Sequence, residues 1–165
     1  PLGSQENPGG GYYDLCGLYL QVLEDLWEKD SGLNGGITYL SVDLSQAPGG
    51  LTEGEKAAIA WIFATSHEAE ALTLTYEQLE EQGYLSQVDM EEYDGPPVYQ
   101  WEDGLLFQIT PVEQEEDTFY SLPVLEFNAE KWRTPLGAYY LNHCQAVWSE
   151  FGSWESYSIG SEMIS

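Results

Sequence analysis

The chain has 165 residues, 42% of them hydrophobic, with six Trp, twelve Tyr and five Phe, which is enough apolar material for one domain with its own core. Its 29 Asp and Glu face four basic residues, a formal charge of -25, and such a field repels nucleic-acid phosphates and anionic lipid while leaving cationic partners or divalent metals open. No apolar run approaches the roughly 18 residues of a membrane helix, and an aromatic content of 14% argues for a folded body in an acidic shell rather than a disordered chain.

Residues 1–11 stand apart. "PLGS" reads as the remnant of a protease-cleaved expression tag and "QENPGGG" as a flexible tether, leaving a single α+β domain over residues 12–165. A Gly-rich tether also suggests an upstream secretion signal or lipid-anchored segment, and with it an extracytoplasmic location.

Apolar residues at Leu15, Tyr19, Val22 and Leu26, with Cys16, Leu20, Leu23 and Trp27 beside them, predict a first helix between Tyr12 and Lys29. Gly32 or Gly35 is expected to terminate it. "ITYLSVDL", Ile37 to Leu44, is β-branched and aromatic and ends at the breaker run "SQAPGG", so it predicts a strand. Thr52 and Glu55 have capping-box spacing and open a second helix with Ala58, Ile59, Ile62 and Phe63 on its apolar face. "LTLT", Leu72 to Thr75, predicts a short strand; Thr75 and Gln78 then cap a short third helix stopped by Gly83. The order strand, helix, strand allows a crossover with parallel strands.

Beyond the acidic, turn-prone stretch from Val88 to Gly95, the best candidate for a mobile loop, the pattern changes to strands. Asp103-Gly104 within "VYQWEDGLLFQIT" predicts a tight hairpin, because both positions tolerate positive φ. "FYSLPVLEF", "LGAYYLNHCQAVW" and "WESYSI" predict further strands, with Pro123 confining its strand to an edge or bulge. Helices first and a meander after them predict N-terminal helices packed on a curved, mainly antiparallel sheet, of the cystatin-like or NTF2-like cone kind.

Few residues announce chemistry. "DSGLNGGI", Asp30 to Ile37, imitates the start of a calcium loop, with Asp30 first, Asn34 fifth and Gly35 sixth. Position twelve is Ser41 where a bidentate Glu is needed, so the stretch reads as a helix stop with Asp30 and Asn34 bonding local backbone. His143 and Cys144 are adjacent, but strand alternation sends them to opposite faces, grouping His143 with Leu141 and Gln145, and Cys144 with Asn142 and Ala146. Cys16 and Cys144 allow one disulfide, which sequence leaves open. Acidic runs such as Glu113 to Asp117 read as solvated loops, and "PPVY" at Pro96 to Tyr99 as prolines entering a strand. Trp101, Trp132, Trp148 and Trp154 fall in the sheet-rich half, where they fill the core or stack on sugars.

The best candidate site is "NAEKWRTPLG", Asn128 to Gly137. Lys131 and Arg133 flank Trp132, placing two of four basic residues within three positions, either to anchor carboxylates or to mark one anion-tolerant spot. Trp132 and Arg133 are therefore the expected ligand-binding residues; no catalytic residue, metal or cofactor is expected.

"YLQVLEDLWEKDSGLN", "LTEGEKAAIAWIFA", "TYEQLEEQGYL" and "FNAEKWRTPLGAYYLNHC" resemble uncharacterised secreted or lipoprotein-like proteins of Gram-positive gut bacteria. The resemblance implies export and no reaction. The expectation is a non-enzymatic acidic extracytoplasmic domain that binds a protein, peptide or small ligand and no nucleic acid. Two alternatives are an acidic mimic of nucleic acid that occupies a basic protein, and a carbohydrate-binding module.

Overall fold

Asp14 opens the fold by accepting a hydrogen bond from Gly17 N at 2.8 Å, capping α1, Leu15–Glu28. The structure, a computed structural model, describes residues 14–89, 91–113, 124–149 and 152–165. The expectations for the tether, for Pro123 and for most of the acidic run ending at Asp117 lie outside the described residues. A single turn of 3-10 helix, Ser31–Asn34, follows α1, and then β1, Tyr39–Asp43.

α1 ends before its glycines. Lys29 is already extended and Asp30 sits in the left-handed region at φ 47, so neither Gly32 nor Gly35 terminates the helix. Asn34 does bond local backbone, its side-chain amide donating to the Trp27 carbonyl at 2.8 Å.

α2, Glu53–Ser66, carries the complete capping box at Thr52 and Glu55, and α3, Tyr76–Glu81, the same device at Thr75 and Gln78. Between them lies β2, Glu70–Leu72, earlier in the chain than "LTLT" predicts, because α2 ends at Ser66 and Glu70 N already donates to Thr38 O. β2 pairs with β1 in parallel, as the crossover requires.

β3, Ser86–Gln87, pairs antiparallel with β4, Tyr99–Gln100, and the acidic stretch joins them, with Glu91 to Gly95 exposed. The Asp103-Gly104 hairpin does not form. β4 belongs to this separate ribbon, while β5, Gly104–Pro111, runs parallel to β1. Asp103 O instead accepts from Thr38 N and Tyr39 N, at 2.7 and 3.1 Å. Gly104 is required for another reason: a Cβ there would stand 2.0 Å from Cε2 of the Trp101 indole.

β6, Val124–Thr134, β7, Gly137–Val147, and β8, Ser161–Ile164, complete an antiparallel meander from β5, giving the order β2-β1-β5-β6-β7-β8. "WESYSI" contributes isolated bridges, Trp148 with Trp154 and Gln145 with Ser158, and the last strand comes from "SEMI". The architecture is α+β with an open, mainly antiparallel sheet and two parallel junctions at β1.

α1 and α2 cover one face. Leu18, Tyr19, Val22 and Leu26 from α1 and Ile59 and Phe63 from α2 meet Leu40, Phe107, Phe127, Leu141 and Cys144 from the strands. Fully burying each large apolar side chain contributes on the order of 2 kcal/mol. On the other face, α3 and the β3-β4 ribbon form a smaller core of Leu79, Leu85, Trp101 and Leu106, against which Tyr39, Tyr76 and Trp132 pack. Past that core the second face turns polar, with Asp43, Gln108 and Glu130 in one cross-strand row.

Candidate functional site

Arg133 is consumed by the main chain. Its Nη1 donates to the carbonyls of Leu33 and Gly35, both at 2.6 Å, its Nε to Trp101 O at 3.1 Å and its Nη2 to Glu102 O. Lys131, fully buried on the helix-covered face, donates to Lys29 O at 2.7 Å, Trp27 O at 3.1 Å and Asp30 O at 3.4 Å. Both cations therefore hold the turn after α1 by its carbonyls, where sequence reading looked to carboxylates. Trp132 points to the opposite face, half-buried, with its ring centroid 5.1 Å from that of Tyr76 in an edge arrangement. The three neighbours thus separate into two packing roles, and all lie near the amino ends of β1 and β5.

The cysteines are free and buried. Burial pushes each thiol up to about 12, with Asp14 and Glu55 adding to the effect at Cys16 and Glu162 at Cys144, so neither offers a thiolate near neutrality. His143 and Cys144 lie on opposite faces as expected, with Gln145 beside His143 at Glu126 and Ala146 beside Cys144 in the core, but a bulge breaks the alternation between Leu141 and Cys144. Phe127 pairs with Cys144 and Ala129 with Leu141, and His143 occupies the left-handed region at φ 53. Leu141 and Cys144 consequently share the core, while His143 turns outward to Glu126, Nε2 to Oε2 3.2 Å. Asn128 holds the bulge by accepting from His143 N at 2.8 Å.

His67 stacks on Trp27 with centroids 3.8 Å apart and lies 2.9 Å from Glu24 Oε2. The Ser66 hydroxyl beside it donates to Phe63 O at 2.7 Å and contacts Glu24 Oε1 at 3.2 Å. Trp101 is fully buried and Trp148 meets Trp154 edge-on at 5.2 Å. Trp61 on α2, outside the helix's predicted apolar face, is 63% exposed; its position off that stripe was the sequence signal for it.

The connectivity of the parallel strands creates a cleft that sequence reading did not anticipate. β1 delivers the chain to α2 on the first face, and β2 delivers it to α3 on the second. Where successive connections part to opposite faces, the carboxyl ends of the strands are left uncovered, which is where open α/β sheets hold ligands. A cleft of about 330 Å³ lies there, lined by Leu44, Ser45, Glu53, Lys56, Ala57 and Thr73. That volume falls within the usual range of small-molecule sites.

Lys56 Nζ lies 3.1 Å from Glu53 Oε1, one turn apart on α2. Ser45 connects the cleft to the polar row behind it, donating through N and Oγ to Asp43 Oδ1 at 3.0 and 2.6 Å. Gln108 Nε2 donates to Asp43 Oδ2 at 3.2 Å. Burial and the nearby Asp43 charge hold the Glu130 carboxyl above its ordinary range. Lys29 has a different partner, Glu162 at 2.9 Å, which leaves Lys56 as the basic side chain that lines this cleft. Among the described residues, no three His, Cys, Asp or Glu side chains are grouped to hold a metal ion.

No protein-family model, curated protein or solved structure matches this chain.

Proposed function

We propose that this protein is a non-enzymatic binding domain that holds a small polar ligand in the cleft at the carboxyl ends of β1 and β2. The observation that carries this reading is the Lys56 and Glu53 pair lining a cleft of ligand size. An ammonium and a carboxylate 3.1 Å apart, with the Ser45 and Thr73 side chains beside them, match a zwitterion: an amino acid or short peptide whose carboxylate meets Lys56 and whose ammonium meets Glu53. The anion-tolerant spot expected beside Arg133 is thereby assigned to Lys56.

Titration of isotopically labelled protein with free amino acids, dipeptides, simple amines, simple carboxylates and neutral sugars tests the proposal. Saturable amide shifts at Ser45, Lys56 and Thr73 are expected for the zwitterions and should vanish in Lys56→Ala. Shifts with neutral sugars that survive Lys56→Ala would favour a carbohydrate-binding module. Absence of any response at these amides would remove the cleft as a site, and salt-sensitive capture of a basic protein in its place would favour the acidic mimic.

A further inference from the structure

Trp61 projects from α2 with 63% of its surface exposed, one turn beyond Ala57, which shares the cleft lining with Thr73 just past β2, so this flank of the helix faces the β2 side of the sheet. α2 packs on β2, and among the described residues β2 has a strand neighbour, β1, on one side only. Glu70 N donates to Thr38 O, so the two-residue repeat of the ladder turns the N–H and C=O of Ala71 away from β1, toward the open edge. Exposed carboxylates border this strip: Glu68 just past the last turn of α2, and Glu70 at the start of β2.

An open strand edge, an exposed indole and a border of carboxylates ask for one kind of occupant. We propose that an extended peptide segment carrying Arg or Lys docks on the β2 edge, adds main-chain hydrogen bonds at Ala71, and lays a cationic side chain over Trp61. Strand addition supplies the main-chain bonds, and side chains at alternate positions supply selectivity. Arg over an indole face gains from the ring quadrupole, and the chain's charge of -25 draws such a segment in while repelling a second copy of itself. The inference rests on Trp61 and the main chain of Ala71, neither of which lines the cleft, and it survives if the cleft ligand is wrong.

A capped hexapeptide alternating Arg and Val is the probe, with its Glu-Val counterpart, an N-methylated version that cannot extend a ladder, and spermine as controls. Binding is followed by amide shifts and by isothermal titration. The Arg-Val peptide is expected to bind, shifting Ala71 and the Trp61 indole N–H, and to weaken about tenfold in Trp61→Ala. N-methylation should weaken it comparably, and Lys56→Ala should leave it unchanged. Trp61→Ala protein that keeps its circular dichroism and full affinity would overturn the proposal. So would equal affinity for spermine, which would reduce the effect to charge alone, or absence of binding by the Arg-Val peptide.

Discussion

The Lys131 ammonium lies 2.7 Å from the carbonyl oxygen of Lys29, and it is a fully buried cation from the middle of β6 that closes the end of α1. The last carbonyls of a helix need donors, usually from a glycine turn or water. Here Leu26 O and Trp27 O have the local donors Lys29 N and Asn34 Nδ2, and the Lys29 carbonyl is met by a side chain 102 positions away in sequence, with Trp27's ring 5.9 Å from the same nitrogen.

Lys131→Met keeps the aliphatic bulk and removes the donor to the Lys29 carbonyl, while the carbonyls of Trp27 and Asp30 keep Asn34 Nδ2 and Leu33 N. The expected cost is about 3 kcal/mol in urea denaturation at neutral pH. The pH dependence has a definite sign. Burial holds Lys131 down to about 8 against its ordinary 10.5, so between these values the unfolded chain binds more protons. Wild-type stability should therefore rise relative to Lys131→Met as pH climbs from 7 to 9, by on the order of 1 kcal/mol.

Arg133→Lys tests whether the guanidinium fork matters as a shape. One ammonium cannot reach the carbonyls of Leu33, Gly35, Trp101 and Glu102 together, so a loss of about 2 kcal/mol is expected despite the retained charge. Amide exchange should speed up between Leu33 and Gly35. An unchanged denaturation midpoint would contradict the anchoring role.

Cys16 and Cys144 should resist a thiol reagent at pH 8 until the protein unfolds, so labelling should follow the unfolding rate. The same burial gives an alkaline limit. Folded thiols keep their protons to about 12 while unfolded ones release them from about 9, so the folded state binds more protons over that interval. Stability should fall as pH rises above 9, and Cys16→Ala with Cys144→Ala should flatten the decline.

Gly104→Ala places a methyl group into the Trp101 indole, and the fully buried ring has little space to retreat. A loss of about 3 kcal/mol is expected, with a change in tryptophan emission in the folded baseline. A neutral outcome would show that the β4 to β5 corner is softer than its packing implies.

The local elements were legible because their signals are local. Thr52 with Glu55 and Thr75 with Gln78 marked two helix starts through side chains that reach three residues along their own backbone. The apolar stripe from Leu15 to Leu26 marked α1, and helices preceding a meander gave the α+β class. Asp103-Gly104 misled because its turn propensity describes the dipeptide alone; the pairing of β5 with β1 and the Trp101 ring set its geometry. Around His143, period-two alternation failed at one inserted residue, which the Asn128 side chain stabilises from the neighbouring strand.

By itself the sequence determined the acidic shell, the helix starts, the strand-rich second half and the core-forming stripes, since these follow from composition and short-range periodicity. Tertiary structure alone decided what the basic residues hold, which strand edges remain open, and that the chain parts above the carboxyl ends of β1 and β2 to leave a cleft at Lys56. The reason is range. A hydrogen bond from Lys131 to Lys29, or a parallel pairing of β1 with β5, joins segments that carry no mark of one another until burial of the core brings them together.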